Sequence, residues 1–287
     1  MSSLLEKIND PADLKKLSMP ELETLAEEIR QFMLRSISKT GGHLASNLGA
    51  VEMTLALHYV FDFKRDKLLW DVGHQCYTHK IITGRKAGFE RLRQVGGISG
   101  FPNPAESEYD QFTVGHAGTS VTTAVGMALG EQLKAKAAEP KTNGKRHKSK
   151  QDESAAAKIV AFVGDASIVN GTSFEGLNNL GLVKRQMLIV LNDNSMAIDA
   201  TVGAVAKYFS RFRLSHTYED LRRTTRNILE HVPGIGRSVE EAVEKIKKSI
   251  RMVLPPSQLF ESLHVPYFGP VDGHDIESLV RLFEALK

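Results

Sequence analysis

An aspartate and an asparagine stand at the ends of two apolar runs, 29 residues apart: Asp165 closes "KIVAFVGD" and Asn194 follows "QMLIVLND". Carboxylate and amide oxygens are hard donors, suited to Mg2+ or Ca2+ rather than to a soft transition metal. Mg2+ usually takes one or two such protein groups and fills its octahedron with phosphate oxygens. In an open parallel sheet, ligands sit beyond the carboxyl ends of the strands, where helix N-termini present free N–H groups. The two side chains could therefore hold a metal that in turn holds a diphosphate. Asp and Asn at strand ends also serve as turn and helix-capping residues, and these two residues alone leave both readings open.

His43, His74 and His274 each follow a glycine, Gly42, Gly73 and Gly273. Glycine permits close backbone approach to a ligand, and an imidazole can donate to a phosphate or relay a proton near neutral pH. A lone histidine is more often a satisfied core or surface residue, and His58, His79 and His216 are read as structural.

The elements that must position these groups follow from apolar periodicity. "KLLWDVG", "KIVAFVG" and "QMLIVLN" are short, almost wholly apolar runs of the kind a parallel sheet buries on both faces. Between the last two, "GTSFEGLNNLGL" has helical spacing, giving a strand, helix, strand unit. Ser18 and Glu21 form an S-x-x-E capping box ahead of a helix with Leu22, Leu25, Ile29, Phe32 and Met33 on one face, ended by Gly41 and Gly42. Further helices are predicted over "GAVEMTLALHYVF", over the small-residue stretch after "GHAGTS", across most of 200–255 and at the C-terminal end. Residues 84–114 are rich in Gly, Pro and Ser and read as irregular connection. The fold class is a single α/β domain over 1–287, a mostly parallel sheet with helices on both faces. Ala135–Ala157, with Pro, Gly and a basic middle, holds no apolar periodicity and reads as a disordered insertion.

Composition narrows the functional classes. With 287 residues, 41% hydrophobic and 25% charged, the chain can bury a sizeable core. A formal net charge of +3, spread along the chain, argues against nucleic acid as a partner. The single cysteine, Cys76, excludes an internal disulfide or thiolate metal site and fits a reducing compartment. No run reaches the ~20 apolar residues that span a bilayer, and the N-terminal stretch has no signal-peptide core. A cytoplasmic location with no membrane partner is the expectation.

Gly164-Asp165 to Asn194 resembles the thiamine diphosphate motif of transketolase-like enzymes. The stretches "GGHLASNLGAVEMTLALHYVF", "WDVGHQCYTHKIITGR", "GHAGTSV", "LNDNSMAI" and "GPVDGHD" are similar, in order, to the N-terminal domain of the 1-deoxy-D-xylulose-5-phosphate synthase family. The resemblance implies a thiamine diphosphate-binding fold and Mg2+ held by Asp165, Asn194 and the backbone carbonyl of Met196. It implies that His74, Gly115, His116 and Ala117 line the diphosphate, that Ala166 and Ser167 give backbone contacts beside the metal, and that Tyr267 touches the cofactor. His43 would face the reacting centre and His274 the phosphate of an acceptor aldehyde. The implied reaction joins pyruvate to glyceraldehyde 3-phosphate with loss of carbon dioxide, a step toward isoprenoid, thiamine and pyridoxal biosynthesis, in a homodimer.

Two departures qualify that expectation. The family's Gly-Asp-Gly is Gly-Asp-Ala here, and the Ala166 methyl would obstruct the loop if that position needed a positive φ. The pyrimidine-binding and C-terminal domains are absent, so the chain is expected to need a separate or missing half to activate the cofactor. Two other readings stand beside this one: the N-terminal subunit of a split transketolase, and a non-catalytic remnant with a binding or regulatory role.

Overall fold

The structure, a computed structural model, describes residues 3–138, 157–183, 187–193, 222–227, 260, 262–263 and 265–287. Its described helices are α1 (Leu4–Lys7), α2 (Pro11–Leu14), α3 (Met19–Thr40), α4 (Leu44–Leu48), α5 (Val51–Val60), α6 (Tyr77–Lys80), α7 (Ser120–Ala138), α8 (Asp165–Ile168), α9 (Gly171–Asn178) and α10 (Ile276–Leu286). The strands are β1 (Lys67–Trp70), β2 (Ile159–Gly164) and β3 (Met187–Asn192), all parallel in the order β1-β2-β3, with Leu69 opposite Ala161 and Ala161 opposite Ile189.

All three runs expected as strands are strands. Their alternation divides the core into two layers, because successive side chains point to opposite faces. Leu68, Trp70, Val160 and Phe162 enter one apolar layer with Leu25, Ile29 and Met33 of α3, Leu55 of α5 and Phe283 of α10. Leu69, Ile159, Ala161 and Val163 enter the other with Val121, Ala124 and Ala128 of α7 and Leu177 of α9. The central strand is therefore buried on both sides, which accounts for a run with no polar residue until Gly164. Parallel neighbours require crossover connections, and α7 lies in the first while α8 and α9 lie in the second.

The predicted caps form. The Glu21 carboxylate accepts from the Ser18 backbone N–H at 2.8 Å and from its hydroxyl at 2.7 Å, and α3 stops at Gly41, whose φ is +73°. Its buried stripe is Leu22, Leu25, Ala26, Ile29, Met33 and Ile37, while Phe32 is half-buried and packs edge-on against Phe89 with centroids 5.5 Å apart. Burying each such large side chain stabilises the fold by roughly 1.5–3 kcal/mol. At the other end of the chain the Asp275 carboxylate accepts from Ser278 N–H at 3.0 Å, capping α10.

Connection 84–114 has no strand; it begins at the end of a kinked π-helical turn, Ile81–Arg85, and continues through a short 3-10 segment, Lys86–Arg91. A buried polar network fixes it instead. Asp110 accepts from Arg85 Nη1 at 2.6 Å, from Arg85 Nη2 at 3.0 Å and from His79 Nε2 at 2.8 Å, while Lys80 Nζ donates to Glu106 at 2.6 Å. His58 Nε2 lies 2.9 Å from His79 Nδ1. Burial lowers the pKa of both imidazoles, and a neutral His79 that donates from Nε2 to the carboxylate accepts at Nδ1 from His58 Nε2. His58 and His79 are buried side by side, in keeping with the structural role read for them.

The helix of the "GHAGTS" stretch continues to Ala138, so Ala135–Ala138 are its last turn rather than insertion. Alanine and lysine favour that extension. Residues 139–156 of the insertion, His216 and most of 200–255 lie outside the described residues; 222–227 is helical, as expected.

Candidate functional site

At the carboxyl end of β1 the backbone of Asp71 donates to Phe162 O at 2.8 Å, keeping it in the sheet, and the chain then turns sharply. Val72 has φ +58° and Gly73 φ +87°. A Cβ on Gly73 would lie 2.5 Å from Pro102 Cδ and 2.7 Å from Val114 Cγ2, so only glycine fits between those loops. His74 follows immediately.

The Asp71 carboxylate, 1% exposed, reaches across to the segment that opens α7. Oδ1 accepts from Gly118 N–H at 2.8 Å, and Oδ2 accepts from Ser120 N–H at 3.0 Å and the Ser120 hydroxyl at 2.8 Å. The Gly115-His116-Ala117 stretch is thereby held above the β1 tip with its residues exposed. Gly118 also has a positive φ, +83°, and a Cβ there would lie 2.5 Å from the Asn170 side chain. Asn170 caps α9 by accepting Thr172 N–H at 2.9 Å. The loops after β1 and β2 and the loop before α7 thus meet at one edge of the sheet.

Asp165 begins α8 directly after β2, with Oδ1 accepting Ala166 N–H at 3.0 Å. Ala166 is helical and exposed, and the positive-φ residues other than glycine among those described are Val72 and Arg93. The methyl that replaces the motif glycine therefore meets no backbone strain. Ser167 is buried, and its carbonyl accepts from the Ser173 hydroxyl at 2.9 Å. Asn194 and Met196 lie outside the described residues; β3 leads up to them through Asn192 and Asp193.

His43 and His74 are brought together, ring centroids 5.4 Å apart and edge to face, and Phe101 packs on His43 at 5.8 Å. Burial lowers the pKa of both; neighbouring Arg93 adds to the effect at His43, and His43 adds to it at His74. Both imidazoles are consequently neutral at pH 7. The Nδ1 atom of each is buried and has no hydrogen-bond partner. Buried polar atoms are almost always satisfied, and these two belong to rings that touch each other beyond the tip of β1.

His274 packs against Glu52 and Arg30, and Arg30 also donates to Leu48 O at the end of α4. The His274 Nδ1 is 3.1 Å from Glu52 Oε2, and Glu52 in turn pairs with Arg30 at 2.5 Å. Among the described residues no hydrogen bond or ring contact joins His274 to His43 or His74. Tyr267 stacks on Phe260 with centroids 5.8 Å apart and lines a cavity of about 220 Å3 that also touches Ile168, Asn192 and Asp193. It is thus near the ends of β2 and β3.

Sequence reasoning missed two residues, Asn47 and Asp71, on which the loop positions depend. Each lies inside a quoted motif, and the signal for Asp71 was a carboxylate directly after a buried strand.

A parallel sheet layered by helices, with loops converging beyond its carboxyl edge, is an α/β architecture that the chain shares with transketolase. Transketolase from Leishmania mexicana superposes with a TM-score of 0.53 over 66% of this chain and 30% of that chain, at 19% identity, which establishes the shared fold. The chain matches the family described as 1-deoxy-D-xylulose-5-phosphate synthase over residues 5–287, and it belongs to that family. Proteins named 1-deoxy-D-xylulose-5-phosphate synthase from Clostridium tetani and Dictyoglomus thermophilum are 42% identical over 287 residues and 45% identical over 284 residues, covering 100% and 99% of this chain. The chain spans 43% of the length of each of these relatives.

Proposed function

We propose that the chain is the diphosphate-gripping part of a thiamine diphosphate- and Mg2+-dependent transferase. Completed by a pyrimidine-binding half, it would condense pyruvate with glyceraldehyde 3-phosphate to 1-deoxy-D-xylulose 5-phosphate and carbon dioxide, as a cytoplasmic homodimer. The observation that supports this best is the pair of buried, unbonded Nδ1 atoms of His43 and His74 beside the β1 tip.

The residues present fit the cofactor. A neutral imidazole can donate one hydrogen bond to a phosphate oxygen without first losing a proton, and His74 sits at the end of a strand whose turn admits no side chain at Gly73. His116 and the backbone N–H groups of the exposed residues Gly115 and Ala117 would add donors on the facing loop. For Mg2+, the described residues contain no cluster of three His, Cys, Asp or Glu. A site at Asp165 would instead be made from one carboxylate, the Asn194 amide and the Met196 carbonyl, with phosphate oxygens completing it. Ala166 and Ser167 would flank the ion, and Tyr267 would meet the cofactor from the far side.

Thiamine diphosphate, when bound, supplies the electron sink for loss of carbon dioxide from pyruvate. The chain's own part is to grip, orient and exchange protons. His43, kept neutral, can hold a proton at one ring nitrogen and accept one at the other, which suits it to general acid–base work. His274, 62% exposed on its side chain and backed by Glu52, is suited to a phosphate arriving from solvent.

Identity of 42–45% along the whole chain to proteins named as the synthase favours this reading over a split transketolase. The experiment is to mix the chain with a pyrimidine-binding half and follow labelled carbon dioxide from pyruvate. Release that depends on glyceraldehyde 3-phosphate supports the proposal. Turnover of a ketose phosphate instead points to a transketolase, and failure to bind thiamine diphosphate in any combination points to a remnant.

A further inference from the structure

His43 and His74 stand on loops with little else to hold their rings in register. The His43 N–H bonds only to the Tyr77 hydroxyl, at a long 3.4 Å, and follows Gly41 and Gly42, both at positive φ. His74 follows Val72 and Gly73, also both at positive φ; glycine adopts that conformation freely, but at Val72 it persists only where the surroundings impose it.

One side chain joins both loops. Asn47, on α4 and 0% exposed, donates from Nδ2 to His43 O at 2.5 Å and to His74 O at 2.7 Å, and its Oδ1 accepts Tyr77 N–H at 2.8 Å. Three backbone partners fix which end of the amide is which, since a flip would set N–H against N–H and carbonyl against carbonyl. We infer that Asn47 is the positioning residue that sets the mutual orientation of the His43 and His74 rings. It touches neither ring and acts through the two backbones. The inference rests on the proposed reading of those histidines as ligand-facing.

The test is imidazole NMR on the whole chain, with the two rings assigned by His43→Gln and His74→Gln. Charged or titratable neighbours of the rings are Arg93, Asp71 and each other, and none is altered. Asn47→Ser, smaller and uncharged, removes the bridge between the two carbonyls without adding a charge near the rings; Asn47→Ala serves if that variant does not fold. Thr54→Ala, which loses a buried hydroxyl bond of 2.6 Å to Ala50 O on the next helix, controls for general loss of stability. The expected result is that both histidines titrate below the ordinary range in the wild type. In the Asn47 variants they move up toward it as the loops part and water enters, and in Thr54→Ala they do not move. Unshifted histidines in a folded Asn47 variant, or an equal shift in Thr54→Ala, would overturn the inference. Adding thiamine diphosphate with Mg2+ to the wild type reports separately on the underlying reading: unresponsive rings would remove the cofactor assignment while leaving the positioning result decided by the variants.

Discussion

Asp71 and Ser120, 49 residues apart, are joined twice: the buried carboxylate takes both the backbone N–H and the hydroxyl of Ser120, at 3.0 and 2.8 Å. With the Gly118 N–H on its other oxygen, Asp71 holds the start of α7 against the end of β1. Hydrogen bonds to a charged group contribute about 1.5–3 kcal/mol each, and a buried donor left without its acceptor is costly. Asp71→Asn should therefore lower stability by about 2–3 kcal/mol, read by urea denaturation. It should also weaken thiamine diphosphate binding by freeing the Gly115–Ala117 loop. Unchanged stability would mean that this carboxylate does not brace the loop.

The buried histidines make stability depend on pH. Burial lowers the pKa of His58, well below the ordinary value, and of His79, where burial outweighs the hydrogen bond to Asp110. Below about pH 6.5 the unfolded chain gains protons that these folded imidazoles refuse, so stability falls as pH falls through that value. Asp110 extends the trend. Its burial alone would raise the carboxyl, but His79 and Arg85 hold it far below the usual carboxylate range, and its contribution is lost only in stronger acid. The melting temperature should decline steadily from pH 7.5 to pH 5, by scanning calorimetry. A flat profile over that interval would show that the pair is not neutral in the fold.

Ala166 is the residue at which the sequence departs from the family motif, and its helical conformation removes the steric objection. Ala166→Gly should cost about 0.5–1 kcal/mol of stability, the usual difference between these residues in a helix, and should leave cofactor affinity within a few-fold. A large gain in affinity would show that the methyl does obstruct the ligand.

The strands were legible because their apolar runs are continuous, and the two-sided burial of β2 requires that continuity. The start of α3 was legible because Ser18 and Glu21 are three residues apart and satisfy each other locally. Asn47 and Asp71 were not, because their partners lie 27 and 49 residues away and depend on where separate loops land. The resemblance gave His43 and His74 separate roles and did not foresee that their rings meet, which depends on how two distant loops land. The limit of the insertion was misjudged by four residues because Ala135–Ala138 continue a helix whose apolar stripe has already ended. Met196 rests on the resemblance alone, and Asn194 on the resemblance and on its place after an apolar run.

The most direct measurement is calorimetric titration of thiamine diphosphate in the presence of Mg2+, comparing the wild-type chain with Asp165→Ala. Asp165 lies at the tip of β2, where a carboxylate would bind the ion that carries the diphosphate. The expected result is a saturable, Mg2+-dependent heat with the wild type that disappears in the folded variant. Equal binding by both, or none by the wild type even with a pyrimidine-binding half supplied, would contradict the metal–diphosphate site.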